Sequence, residues 1–157
     1  MPPGRGDRRG PPGGGLLHPR SHPLTSIEVV FPVPRDRAFG YLEDPRNRPA
    51  WQSSLRAVAD VRADLGAWTD VTVVPGVRPR MRTTLSEPPY RWVEEGTCGP
   101  FRARLELRFA ELDDGQRCRV TADFRVRGLR VGGLVTWGSR STVAADLRRA
   151  ARLLSRP

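Results

Sequence analysis

Lysine is missing from this chain of 157 residues: all 27 permanently charged cations are arginine, against 17 acidic side chains, for a formal charge of +10. Histidine is confined to His18 and His22. Nothing downstream can therefore use an imidazole or an ammonium group. That excludes Ser-His-Asp and Cys-His nucleophile pairs, Schiff-base lysines, P-loops and His-ligated metal sites from residues 24 onward. Cysteine is scarce too, since Cys98 and Cys118 are too few for a disulfide framework and have no CxxC spacing. No metal or other cofactor is expected, and a reducing cytoplasm is the default setting. No apolar run approaches the roughly 18 residues of a membrane span, and Leu16-Leu17 is far shorter than a signal-peptide core. A soluble, unexported protein with no membrane insertion is expected.

The length suits one domain with a tail. Residues 1–23 hold six Pro, six Gly, four Arg and, beside Met1, only two large apolar side chains, too little to offset the entropy of ordering them. They read as a disordered tail, and Arg5-Gly6-Asp7 within it as a coincidental match to an integrin-type tripeptide. Residues 24–157 are long enough to bury a core.

From Ser26 to Phe31 the chain is β-branched and alternating, a strand ended by Pro32 and Pro34. A helix follows, with Pro34 at its start, Asp36 near the positive end of its dipole and Ala38, Phe39 and Leu42 as its stripe, stopped by Asp44-Pro45. A second helical turn is expected over Pro49 to Leu55. Six strands are then expected at Val58 to Arg62, Trp68 to Val74, Arg80 to Leu85, Tyr90 to Thr97, Phe101 to Leu112 and Arg117 to Arg127, separated by turn residues. The last two alternate strictly and carry one dry face each. With Asp114-Gly115 as a two-residue turn, 113 faces 116, and Leu105 then pairs with Phe124, Leu107 with Ala122 and Phe109 with Val120. A shift of one residue would set apolar side chains against charged ones. Val143, Leu147, Ala150 or Ala151 and Leu154 then recur at helical spacing, so the chain closes on an amphipathic helix entered through the glycine-rich stretch Gly128 to Gly138.

This order is the helix-grip arrangement of the α+β class: a seven-stranded antiparallel sheet wrapped around a long C-terminal helix, with two short helices after the first strand. Ile27-Glu28-Val29, the run from Pro34 to Pro45, Asn47-Arg48-Pro49-Ala50-Trp51, Gly66 and Gly99-Pro100-Phe101-Arg102-Ala103 resemble the START-like, polyketide cyclase/dehydrase-type proteins of the SRPBCC superfamily. The most specific piece is Asp-Pro-x-Asn-x-Pro-x-Trp from Asp44 to Trp51. The resemblance implies a cavity between sheet and helix for a hydrophobic small molecule such as a lipid, polyketide or quinone. In some members it implies cyclisation or dehydration of the bound chain. It supplies no catalytic motif here, and these proteins share a fold while differing in chemistry.

Trp51, Trp68, Met81, Trp92, Phe101 and Phe109 are the large side chains suited to line that cavity or to pack the core beside it, and Trp137 is either a lid or a surface aromatic. Glu94 is the candidate for chemistry. Tyr90, Trp92 and Glu94 share one strand face by the period of two, so an inward Trp92 brings Glu94 inward, where an apolar setting would raise its pKa and fit it for acid-base work. The more ordinary alternative puts Val93 inward or Glu94 at a solvated strand end. On the outer face of the last hairpin lie Arg102, Arg104, Arg108, Arg119, Arg125 and Arg127, a basic patch able to hold an acidic partner or a nucleic-acid backbone. Screened diagonal pairs, Arg104 to Asp123 and Glu106 to Arg125, and the lack of interleaved aromatics favour a solvated face with no specific nucleic acid. A hydrophobic small molecule is the expected partner, and the oligomeric state is not legible in the sequence.

Overall fold

The computed structural model describes residues 26–128 and 140–156. The 1–23 tail, Trp137 and the glycines between 129 and 139 lie outside the described residues. Strand β1 (Ile27–Phe31) buries Ile27, Val29 and Phe31 and turns Glu28 and Val30 outward, as its alternation requires. Helix α1 (Arg35–Glu43) starts after Pro34, carries Asp36 in its first turn and buries Ala38, Phe39 and Leu42. The Asp44 side chain accepts the Arg46 N–H at 2.9 Å and opens a 3-10 turn, Pro45–Asn47. Helix α2 (Arg48–Trp51) follows at once, and Asn47 Nδ2 donates to the Tyr41 carbonyl at 3.0 Å, tying this corner back to α1.

The strands β2 (Leu55–Arg62), β3 (Ala67–Thr72), β4 (Arg80–Glu87), β5 (Arg91–Cys98), β6 (Phe101–Leu112) and β7 (Arg117–Arg127) join β1 in one sheet. All its pairings are antiparallel, and the order is β1-β7-β6-β5-β4-β3-β2. In the β6–β7 hairpin Leu105 faces Phe124, Leu107 faces Ala122 and Phe109 faces Val120, the register expected from the alternation. Its turn is wider than expected. The ladder stops at Leu112 and Arg117, and Asp113, Asp114 and Gly115 take positive φ in succession, closed by Gly115 N–H to Leu112 O and Gln116 N–H to Asp113 O. Asp tolerates the left-handed region better than most residues, so two of them with a glycine can make this turn.

Two expected boundaries move for local reasons. The helical turn ends at Trp51 because Gln52 is already extended, and Leu55, expected at its end, opens β2 opposite Thr72. Val73 and Val74, expected in a strand, leave the sheet: the Thr72 hydroxyl is within hydrogen-bond reach of the Val74 and Val77 carbonyls, at 3.0 and 2.9 Å, and bends the chain into a turn. Helix α3 (Arg140–Leu154) buries Ala144, Leu147, Ala150, Ala151 and Leu154 and packs on β1, α1 and α2. The core is the layer between this helix and the concave face of the sheet. No described helix is long and apolar enough to cross a membrane.

Candidate ligand-binding site

The concave face is set by the ladder pairs. Met81 lies beside Trp68 and Gly96, Gly96 beside Ala103, Glu94 beside Leu105, and Leu105 beside Phe124. Strand β3 adds Trp68, Asp70 and Thr72, three buried residues at the period of two. Between this face and α3 is a partly open cavity of ≈ 120 Å³. Its walls are mostly apolar: Trp51, Leu55, Met81, Phe101, Leu105, Phe124, Val143 and Leu147 are among them. The size is comparable to an engineered apolar cavity of about 150 Å³ that takes up benzene.

Four charged residues also reach the cavity wall: Arg48 from α2, Asp70 from β3, Glu94 from β5 and Asp146 from α3. Arg48 is buried between the first two carboxylates. Its Nε and Nη2 donate to Asp70 Oδ1 and Oδ2 at 3.2 and 3.0 Å, a fork matched to both oxygens, and Nη1 donates to Glu94 Oε2 at 2.6 Å. Trp68 braces the cluster, donating from Nε1 to Asp70 Oδ1 at 2.9 Å while the Arg48 guanidinium lies 5.2 Å from its ring centre. Asp146 accepts the Ser53 backbone N–H at 3.1 Å and so ties α3 to the corner after α2.

One guanidinium cannot neutralise two carboxylates in a dry site. Burial pushes the Glu94 carboxyl up to about 7, and the Asp70 charge adds to the effect while Arg48 opposes it. For Arg48 burial works against the charge, but Glu94 and Asp70 outweigh it and its pKa rises. Burial also raises Asp146, against the hydrogen bond from Ser53 and the charge of Arg149. Among the described residues no group of three or more His, Cys, Asp or Glu side chains is placed to hold a metal ion.

Of the residues singled out from sequence, Trp51, Met81, Phe101 and Glu94 come together at the cavity. Trp68, Trp92 and Phe109 are buried but are not among its lining residues. Trp68 stands behind Arg48 and Asp70, Trp92 donates to Thr83 Oγ1 at 3.3 Å, and Phe109 packs on Phe39 with ring centres 5.1 Å apart. Trp92 and Val93 are both buried, although they point to opposite faces of β5, because Val93 is flanked on the outer side by Leu85 and Glu106. Glu94 is 3% exposed. Sequence reading missed Arg48, Asp70 and Asp146. For Asp70 a signal was present, since an inward Trp68 carries Asp70 inward by the same period of two that singled out Glu94.

A family model described as polyketide cyclase / dehydrase and lipid transport matches residues 24–156. The chain belongs to this family. Solved structures with the same fold include the ZhuI aromatase/cyclase from Streptomyces sp. R1128, at 18% identity and a TM-score of 0.64 over 83% of this chain and 92% of that one. A START superfamily protein from Mycobacterium smegmatis, at 12% identity, gives a TM-score of 0.61 over 82% of this chain and 92% of its own. A protein from Thermus thermophilus, at 18% identity, gives 0.62 over 83% and 95%. No curated protein matches the sequence closely enough to count as a relative. At these identities the structural likeness establishes the fold of the family, and the polar cluster around Arg48 has to be read from this chain itself.

Proposed function

We propose that the protein binds a hydrophobic small molecule in the cavity between its sheet and α3, with the Arg48, Asp70 and Glu94 cluster at the polar end. The observation that carries this reading is a mostly apolar cavity with one small hydrogen-bonded polar cluster in its wall, the usual composition of a small-molecule site. Removing ligand surface from water at about 25 cal/mol per Å² lets a few hundred Å² offset the cost of association and leave micromolar affinity. The test is a titration of the full chain with the neutral dye N-phenyl-1-naphthylamine. Its fluorescence should rise with saturation in the micromolar range, and Ala103→Phe, which adds a ring to the cavity wall, should remove the rise while the protein still melts cooperatively. Binding of neither the dye nor the smaller naphthalene, or dye binding that survives Ala103→Phe in full, would rule the reading out.

A second reading, an enzyme of the cyclase/dehydrase type, is favoured by Glu94 alone. A buried carboxyl that titrates near 7 at a cavity wall is matched to general acid or base work at neutral pH. Under this reading Glu94→Gln keeps dye affinity and abolishes turnover of a polyketide-like chain.

A further inference from the structure

The charged groups of the cavity also restrict what its ligand can be, an inference that rests on the binding reading above. Arg48 is the one cation among the described lining residues, and the carboxyl groups there are Asp70, Glu94 and Asp146. Three of the guanidinium donors are already committed, two to Asp70 and one to Glu94. A guanidinium has five in all. The one guanidinium charge is already offset by Asp70, so once Glu94 is ionised a ligand carboxylate would meet a surplus of acid rather than of positive charge at this wall of the cavity.

A second, independent group asks for an acceptor. Trp51 is 2% exposed and lines the cavity, and its Nε1–H is buried without a hydrogen-bond acceptor among the described residues. Buried indole donors are normally paired, and leaving one unpaired costs free energy. A ligand oxygen that reaches Nε1 supplies the acceptor. An ammonium group has no lone pair to offer, so a cation satisfies the acids but not the indole. Only an uncharged oxygen suits both: it accepts from Trp51 and brings no negative charge toward Asp70, Glu94 and Asp146.

We propose that the cavity selects an uncharged lipophile with an exposed carbonyl or hydroxyl oxygen, held by Trp51, and rejects lipophilic carboxylates of the fatty-acid kind. The test uses molecules of one shape and three charges, 1-acetonaphthone, 1-naphthoate and 1-naphthylmethylamine, with naphthalene as the reference that has no polar group. Each displaces N-phenyl-1-naphthylamine from the full chain at pH 8, where Glu94 is mostly ionised. The ketone should compete at least tenfold better than the carboxylate and several-fold better than the amine or naphthalene. Trp51→Phe should bring the ketone down to the level of naphthalene. Glu94→Gln with Asp146→Asn should shrink the gap between ketone and carboxylate to about threefold or less. The wild-type series needs no variant to fold, so it decides by itself: a carboxylate or an amine that competes as well as the ketone overturns the proposal. Loss of charge selection with dye binding intact strikes down this inference alone, whereas a protein that takes up neither dye nor naphthalene strikes down the binding reading beneath it.

Discussion

A buried guanidinium between two carboxylates is a costly arrangement, because each ion gives up its hydration and only two of the three charges can cancel. The protein meets the cost by letting one member hold a proton. Glu94 is that member: its carboxyl titrates at about 7, against an ordinary value of 4.5, chiefly because it is buried. Between those two values the folded state retains a proton that the unfolded chain has released. The stabilisation from Glu94 is thus complete below about 4.5 and is lost as the pH rises through about 7. Its full size is on the order of 3 kcal/mol, at about 1.36 kcal/mol for each pH unit between the two values. Other carboxylates also titrate, so the quantity to measure is the difference in urea-unfolding free energy between wild type and Glu94→Gln. It should move against the wild type from pH 5 to pH 8.5. Parallel curves over that range would mean that Glu94 is ionised throughout.

At the scale of single elements, β5 shows how backbone choice makes room for a ligand. Gly96 faces Met81 across the β4–β5 ladder, and a Cβ added there would stand 2.5 Å from Met81 Sδ and 3.0 Å from its Cε. Both residues line the cavity, so the flexible thioether has space there to yield into. Gly96→Ala should cost about 1 kcal/mol of stability or less, because only the flexible end of Met81 has to shift, and weaken dye binding by at least tenfold. Adding Met81→Ala should restore the binding, and a single variant that binds normally would place the ligand elsewhere. Elements also mark the limit of what was legible in the sequence. The β6–β7 register could be read because nine residues of β6, Phe101 to Phe109, and the eleven of β7 alternate without a break, and a slip would bury arginine. Glu94 was legible as one of two options, since its strand carries large apolar residues in adjacent positions, Trp92 and Val93. Arg48 was not, because α2 spans only four residues, too short for any periodicity, and an arginine there reads as surface. Asp146 interrupts the buried face of α3, and only the Ser53 N–H from a distant corner explains it. The site depends on pairings between elements, which a one-dimensional pattern does not carry.

Over the whole molecule the most visible feature is the charge of +10, much of it displayed on the outer face of the sheet. Arg102 stands opposite Arg127 and Arg104 opposite Arg125, as expected from the register. Of the expected diagonals, Glu106 acts on Arg125 through its charge alone, and the direct contacts are with other partners. Arg104 bonds Glu95 at 2.9 Å and Glu106 at 3.4 Å, Arg91 and Arg108 converge on the same Glu106 at 2.9 and 2.7 Å, and Arg125 takes Asp123 on its own strand at 3.1 Å. Glu106 is drawn inward beside Val93, at 8% exposure, and its pKa falls; burial opposes that fall, while the hydrogen bond from Arg91 and the charges of Arg108 and Arg91 outweigh it. The arginines around Glu106 therefore cover a buried carboxylate on the outer face, whereas Arg102, Arg125 and Arg127 are exposed. Exposed pairs are worth about 0–1 kcal/mol, and a like-charged face mainly keeps molecules apart in solution. Replacing Arg102, Arg125 and Arg127 together by Gln leaves the three arginines in contact with Glu106 in place, and should shift the melting temperature by no more than about 3 °C and leave dye affinity within twofold. No salt-sensitive binding to RNA, DNA or an acidic protein should depend on these three positions. If such binding exists in the wild type and disappears in the triple variant at unchanged melting temperature, the outer face is a docking surface for a polyanion and the molecule has two functional sides, a cavity on the concave face and a contact surface on the convex one.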